Sequence, residues 1–189
     1  MQVQSRIKVW DRAVRVGHWA LVVAFIIAFI TEEDILLLHV WAGYAVLLIV
    51  TIRILWGIIG SQYARFTNFV TSPKVALQYL KDTLRFKAKR YIGHNPAGGF
   101  MIVIMVVSLI LTTITGIAIY GVEDQAGPMA GWFASNSLWE DIFEEVHEFL
   151  ANFTLVLVVI HVAGVLIESL IHKENLVKAM IDGTKKASH

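Results

Sequence analysis

Four histidines, His18, His39, His147 and His161, lie in stretches of sequence that are otherwise apolar enough to cross a bilayer. Imidazole is costly to place in hydrocarbon, so an ionisable side chain in such a stretch is a functional-site hypothesis from the outset. His147 and His161 share one run, "VHEFLANFTLVLVVIHVAG", fourteen residues apart. On an α-helix that spacing is a rise of about 21 Å with only about 40° between the side chains around the axis. Both rings then face one bundle interior at two depths. His39 falls at the depth of His147, and His18 at that of His161. Two facing neutral imidazoles can each give one nitrogen to the iron of a flat macrocycle, so the chemistry of this pattern is axial haem ligation. Each histidine alone could be a hydrogen-bonded interior residue, but four in two depth-matched pairs fit that account poorly. Gly17, Gly43 and Gly164 lie beside or within one turn of a candidate ligand, and Gly116 could make room for a haem edge.

The elements that must position these rings are long helices. Of the 189 residues, 57% are hydrophobic and 16% charged, outside the usual composition of a soluble domain. A span of the bilayer core takes about 20 mainly apolar residues. Four runs qualify: 14–30, 36–59, 98–120 and 146–171. The expected fold is an all-α membrane protein, a single four-transmembrane-helix bundle over 1–189 holding two stacked b-type haems. The first run is read as a span and not a cleaved signal, because the acidic "TEED" leads directly into another span. The chain has no cysteine, which excludes thioether attachment, iron–sulfur clusters and disulfides. Two haems must therefore be held non-covalently, as haem b.

Charge predicts the topology. All sixteen Lys and Arg fall in the N-terminal tail, the 60–97 connection and its flanks, or the C-terminal tail, together with five acids. The 31–35 turn and the 121–145 connection, with the adjoining helix start, hold ten acids and no base. By the positive-inside rule both termini are cytoplasmic, in a multi-pass protein of a bacterial inner membrane. "TSPKVALQYLKDTLRFKAKR" predicts a short interfacial amphipathic helix capped by Ser72, with Pro73 in its first turn. Val75, Tyr79 and Leu80 would face one way, and Lys74, Lys81, Arg85 and Lys89 would meet lipid headgroups. This basic run is read for lipid, not nucleic acid. A second short helix is expected near 132–145. Trp10, Trp19, Trp41 and Trp56 read as interfacial anchors.

Four segments carry a family resemblance: "VWDRAVRVGHW" around His18, "HVWAGYAVLLIVTIRILWG" from His39, "GHNPAGG" at 93–99, and the histidines of the last helix. Over nearly its whole length the chain resembles the prokaryotic cytochrome b561 and nickel-hydrogenase b-type cytochrome group. That resemblance implies a diheme cytochrome b whose axial ligands match His18, His39, His147 and His161. Arg53 and Arg15 are candidates for a haem propionate. Each has a second reading, as a snorkelling anchor. His94 could be a turn and helix-start residue, or could meet a quinone headgroup or a propionate. Asn95 offers a donor and an acceptor to a quinone. The outer haem has no base to meet its propionates, leaving water, backbone, hydroxyl and indole donors. His172 and His189 are expected in solvent.

The expected function is electron transfer between membrane quinone or quinol and an extracytoplasmic redox partner, a c-type cytochrome or a hydrogenase-like complex. As an enzyme it would be an oxidoreductase component. A stand-alone superoxide:quinone oxidoreductase is a rival, but an anionic substrate favours a basic outer face and this one is acidic. A metal-ion transporter would want carboxylates deep in the first three spans, which have none. A non-redox anchor subunit would not need four histidines.

Overall fold

The computed structural model describes residues 6–32, 35–133 and 137–187. Its elements are β1 (Arg6–Lys8), α1 (Arg12–Ile30), α2 (Leu36–Ile59), a 3-10 turn at Phe66–Asn68, α3 (Pro73–Leu84), α4 (Pro96–Val122), α5 (Ser137–Ile171), α6 (Leu176–Asp182) and β2 (Thr184–Lys186). Helices α1, α2, α4 and α5 are each long and apolar enough to cross a membrane, with mean hydropathy of 2.1 to 2.6. They turn aliphatic side chains outward: Leu48, Leu55, Ile59 and Val159 are all more than half exposed. Such a surface is stable only against hydrocarbon, which makes this a multi-pass membrane protein.

The expected spans are present, with three departures. Helix α5 starts at Ser137, nine residues before the expected 146, so residues 137–145 are its first turns and not a separate short helix. An acidic stretch carries the helix beyond its apolar run, because helix formation needs no apolar face once nucleated. Ser72 sits at the N-cap of α3, but its side chain makes no capping bond. The buried face of α3 is Ala76, Tyr79 and Thr83, whereas Val75 and Leu80 are exposed.

The chain groups into two compact units, each containing part of every long helix. Unit 1 is built from Ile52–Ile104 and the two terminal stretches, up to His18 and from Val158 onward. Here β1 and β2 pair antiparallel, Ile7 opposite Lys185. The sequence reading did not expect this sheet; strands of three residues leave no periodicity to read. Gly183 ends α6 in the left-handed region (φ 84°), and its carbonyl accepts from the Val9 and Trp10 amides. A Cβ there would stand 2.7 Å from the Trp10 carbonyl oxygen, so only glycine closes this turn. Asp11 caps α1 through the Val14 amide (2.9 Å) and also accepts from Trp56 Nε1 (3.0 Å) and Ser61 Oγ. Trp10 is buried in the protein and does not face lipid, Trp56 is half-buried and donates to Asp11, and Trp41 is exposed.

Unit 2 comprises Trp19–Thr51 and Met105–Leu157. Its helices meet through hydroxyls as well as aliphatics. Ser108 Oγ lies 2.6 Å from Thr154 Oγ1, both buried, and Thr154 also donates to the Leu150 carbonyl. Small hydroxyl residues let helices approach closely where lipid offers no hydrophobic drive for association.

Candidate functional site

In unit 2, His39 from α2 and His147 from α5 face each other with ring centroids 6.1 Å apart, at 76°. His39 Nδ1 donates to the Ala28 carbonyl (2.8 Å), and His147 Nδ1 to the Thr112 carbonyl (2.9 Å), with Thr115 Oγ1 at 3.2 Å. A carbonyl can only accept, so in each neutral ring the proton sits on Nδ1 and the Nε2 lone pair is left for a metal. Backbone carbonyls orient metal-binding histidines in this way. An imidazole nitrogen binds a first-row metal at about 2 Å, and the ring centroid lies about 1 Å behind it, so two rings sharing one iron stand about 6 Å apart. The observed separation fits.

The two rings line a cleft of about 710 Å³, its open mouth included, with Phe25, Phe29, Val46 and Leu109 among its apolar walls. Gly43 also lines it, and a Cβ added there would meet no protein atom within 4 Å. The empty space beside Gly43 is what a macrocycle requires. Gly116 does something else. A Cβ on it would stand 2.9 Å from His147 Cε1, so it makes room for the ligand ring and not for a haem edge. Tyr44 and Tyr120 also line the cleft, and none of its lining residues is Lys or Arg.

In unit 1, His18 from α1 and His161 from α5 face each other at 6.4 Å, 51° between planes. A Cβ at Gly17 or Gly164 would again meet nothing within 4 Å. Arg53 lays its guanidinium over the Phe66 ring, 4.9 Å from Cζ to the centroid, and its buried Nη1 has no hydrogen-bond partner. That orphaned donor suits a carboxylate such as a propionate. Arg15 Nη1 donates to the Ile181 carbonyl at the end of α6, while its buried Nε, like Nη1 of Arg53, has no hydrogen-bond partner.

His94 is held between Trp10 (4.5 Å) and Phe69 (4.4 Å), and its buried Nδ1 has no partner. Burial, then the charges of Arg53 and Lys185 and the His161 ring, pushes its imidazole down to about 3, so it is neutral at ordinary pH. Asn95 Oδ1 accepts from the Gly98 amide (2.7 Å), capping α4. That bond takes one lone pair of the amide oxygen; the second lone pair and the amide donor are left for a ligand. His172 is not solvated: its side chain is 12% exposed and Nε2 stands 3.2 Å from Glu168 Oε2. His189 lies outside the described residues. Among the described residues no three His, Cys, Asp or Glu side chains gather as for a bare metal ion, so the histidines come in pairs, as an iron already held by four macrocycle nitrogens requires.

Residues 9–183, which include both histidine pairs, match the profile of the prokaryotic cytochrome b561 family. The chain is also similar to probable Ni/Fe-hydrogenase B-type cytochrome subunits. It is 24% identical over 207 residues to that of Cupriavidus necator, covering 93% of this chain and 85% of the relative. It is 25% identical over 163 residues to that of Rhizobium leguminosarum bv. viciae, covering 78% and 67%. With that of Azotobacter vinelandii the figures are 23% over 212 residues, 95% and 88%.

Proposed function

The chain belongs to the prokaryotic cytochrome b561 family of membrane b-type cytochromes, which transfer electrons on haem b, and from that premise we propose that it holds two haems, one in each unit. His39 and His147 are the axial pair of unit 2, His18 and His161 that of unit 1. Two imidazole pairs at 6.1 and 6.4 Å are the observation that carries this reading. Haem b with both axial positions filled supplies a one-electron couple and leaves no open site for oxygen. The protein's part is to fix the rings, exclude water with apolar walls, and match the propionates. Arg53 does the last in unit 1, Tyr44 and Tyr120 in unit 2.

Electrons pass between membrane quinone or quinol, met near His94 and Asn95, and a redox partner on the acidic side. Relatives named as hydrogenase cytochrome subunits support a subunit-borne partner, and the charge split favours one with a basic patch. The basic loops and both termini lie on the cytoplasmic side of a bacterial inner membrane. The test is haem quantification with reduced spectra on four single variants. His39→Ala and His147→Ala should lose the same haem, and His18→Ala and His161→Ala the other. Loss of one shared haem in His18→Ala and His39→Ala would sink the pairing.

A further inference from the structure

Near the end of α5 the carboxylate of Glu168 is buried. Its Oε2 accepts from Tyr79 Oη (3.0 Å), its Oε1 from Thr83 Oγ1 (3.1 Å), and His172 Nε2 stands 3.2 Å from Oε2. Tyr79 Oη is also 3.0 Å from the Lys89 carbonyl oxygen. A phenol has one hydrogen, so it can serve only one of these acceptors at a time. Two other groups face the cluster: Lys185, which acts on Glu168 through its charge, and Tyr91, whose ring packs against Tyr79 at 5.6 Å. Burial, and next the charge of Glu168, pushes the Tyr79 phenol up, so it keeps its proton across the working range.

Glu168 is seven residues from His161 on the same helix. Two turns put it about 10 Å further along and about 20° around, on the face that carries the ligand. One charge arriving at that distance, in an interior of effective dielectric about 20, changes a carboxylate's proton affinity roughly tenfold. We propose that Glu168 is a redox-linked proton site, taking up one proton when the His18–His161 centre gains an electron and releasing it when the electron leaves. The step balances. A haem held by His18 and His161 would take up the electron, and one proton from water would neutralise the carboxylate, so charge and bonds balance with only O–H bonds changing. Tyr79 and Thr83 each divide one hydroxyl hydrogen between a Glu168 oxygen and a backbone carbonyl, so both can follow the change in charge.

The proposal rests on His18 and His161 being an axial pair. Its test uses the haem-loaded protein, with each haem titrated through redox mediators from acidic to alkaline pH. In the wild type, the potential of the haem that is lost in His161→Ala should fall as pH rises. In Glu168→Gln that dependence should disappear while haem content stays unchanged. The reduced-minus-oxidised infrared spectrum should carry a carboxyl C=O band that Glu168→Gln removes. If Glu168→Gln does not fold, Glu168→Asp should move the pH window of the same haem. A purely structural tie between α3 and α5 predicts none of these changes. A slope that persists in Glu168→Gln, an unmoved window in Glu168→Asp, or no slope in the wild type overturns the proposal. Mediators supply the electrons, so a protein inert to quinol fails the quinone reading alone. A His161→Ala variant that keeps both haems fails the ligand reading instead.

Discussion

At the scale of single residues, two glycines decide whether the unit 2 cleft has room for the haem proposed there. A side chain at Gly43 would meet no protein atom, only the space of the cleft. Gly43→Leu should therefore leave the apo fold intact, and even gain helix propensity of up to about 1 kcal/mol, while the unit 2 haem is lost. Gly116→Ala pushes on His147, which two bonds hold in place. Overpacking of this kind costs about 1–3 kcal/mol, so haem affinity in unit 2 should drop roughly tenfold or more with the unit 1 haem unaffected. Pyridine haemochrome assays and thermal unfolding of both variants check this; full haem content in Gly43→Leu would mean the cleft holds nothing. The facing of His18 with His161 and of His39 with His147 was legible because it follows from spacing along one helix and from charge-assigned depth. Which nitrogen His39 and His147 leave open was not. That depends on the Ala28 and Thr112 carbonyls, whose position is set by packing and carries no residue signature.

At the scale of elements, the spans were legible because a run of twenty apolar residues suits a bilayer and little else. The long start of α5 was missed because an acidic, partly aromatic stretch reads equally as loop or surface helix. Asn95 shows a residue read for one role and engaged in another, since its side chain caps α4. The two roles separate by substitution. Asn95→Asp keeps the capping oxygen and loses the amide donor; Asn95→Ala loses both, at about 1 kcal/mol. If Asn95 serves quinone, Asn95→Asp should slow haem reduction by quinol severalfold at unchanged stability. Equal quinol kinetics in wild type and Asn95→Asp would leave the residue as a helix cap only. The terminal sheet of unit 1 makes a stability prediction. Burial works against the Glu174 carboxylate, but the Arg90 guanidinium, the Lys186 amide and Lys185 outweigh it and hold its carboxyl below the usual 4.5. A lowered carboxyl adds stability above its unfolded value, and that gain is lost as pH falls through the folded one. Arg90→Gln should cost on the order of 2 kcal/mol at neutral pH, and its melting temperature should fall less steeply on acidification than that of the wild type.

At the scale of the molecule, the charge split legible in the sequence coincides with the two units. All sixteen bases belong to unit 1, and the ten acids of the 31–35 and 121–148 regions to unit 2, Glu33 and Asp34 among them outside the described residues. Topogenesis alone asks only that the outer loops avoid Lys and Arg; it does not ask acids to crowd. Yet burial, and then Asp124, Glu140 and Glu144, push the Glu123 carboxyl up. A raised carboxyl favours the fold at low pH and loses that advantage as pH rises through 4.5 toward the folded value, so this crowding costs stability at neutral pH. A basic partner would relieve that cost and gain encounter rate from the same field. If the acids serve docking, electron transfer to a c-type cytochrome with a basic patch should slow severalfold as salt brings the Debye length below about 10 Å. Glu144→Lys with Glu145→Lys should slow it at low salt by a similar factor. Both haem spectra should be unchanged, because neither side chain lines the cleft. Stopped-flow kinetics against ionic strength read both effects together. A rate indifferent to salt and to the charge reversal would return the acidic loops to topology, and the partner would have to be sought among subunits that dock through apolar surface instead.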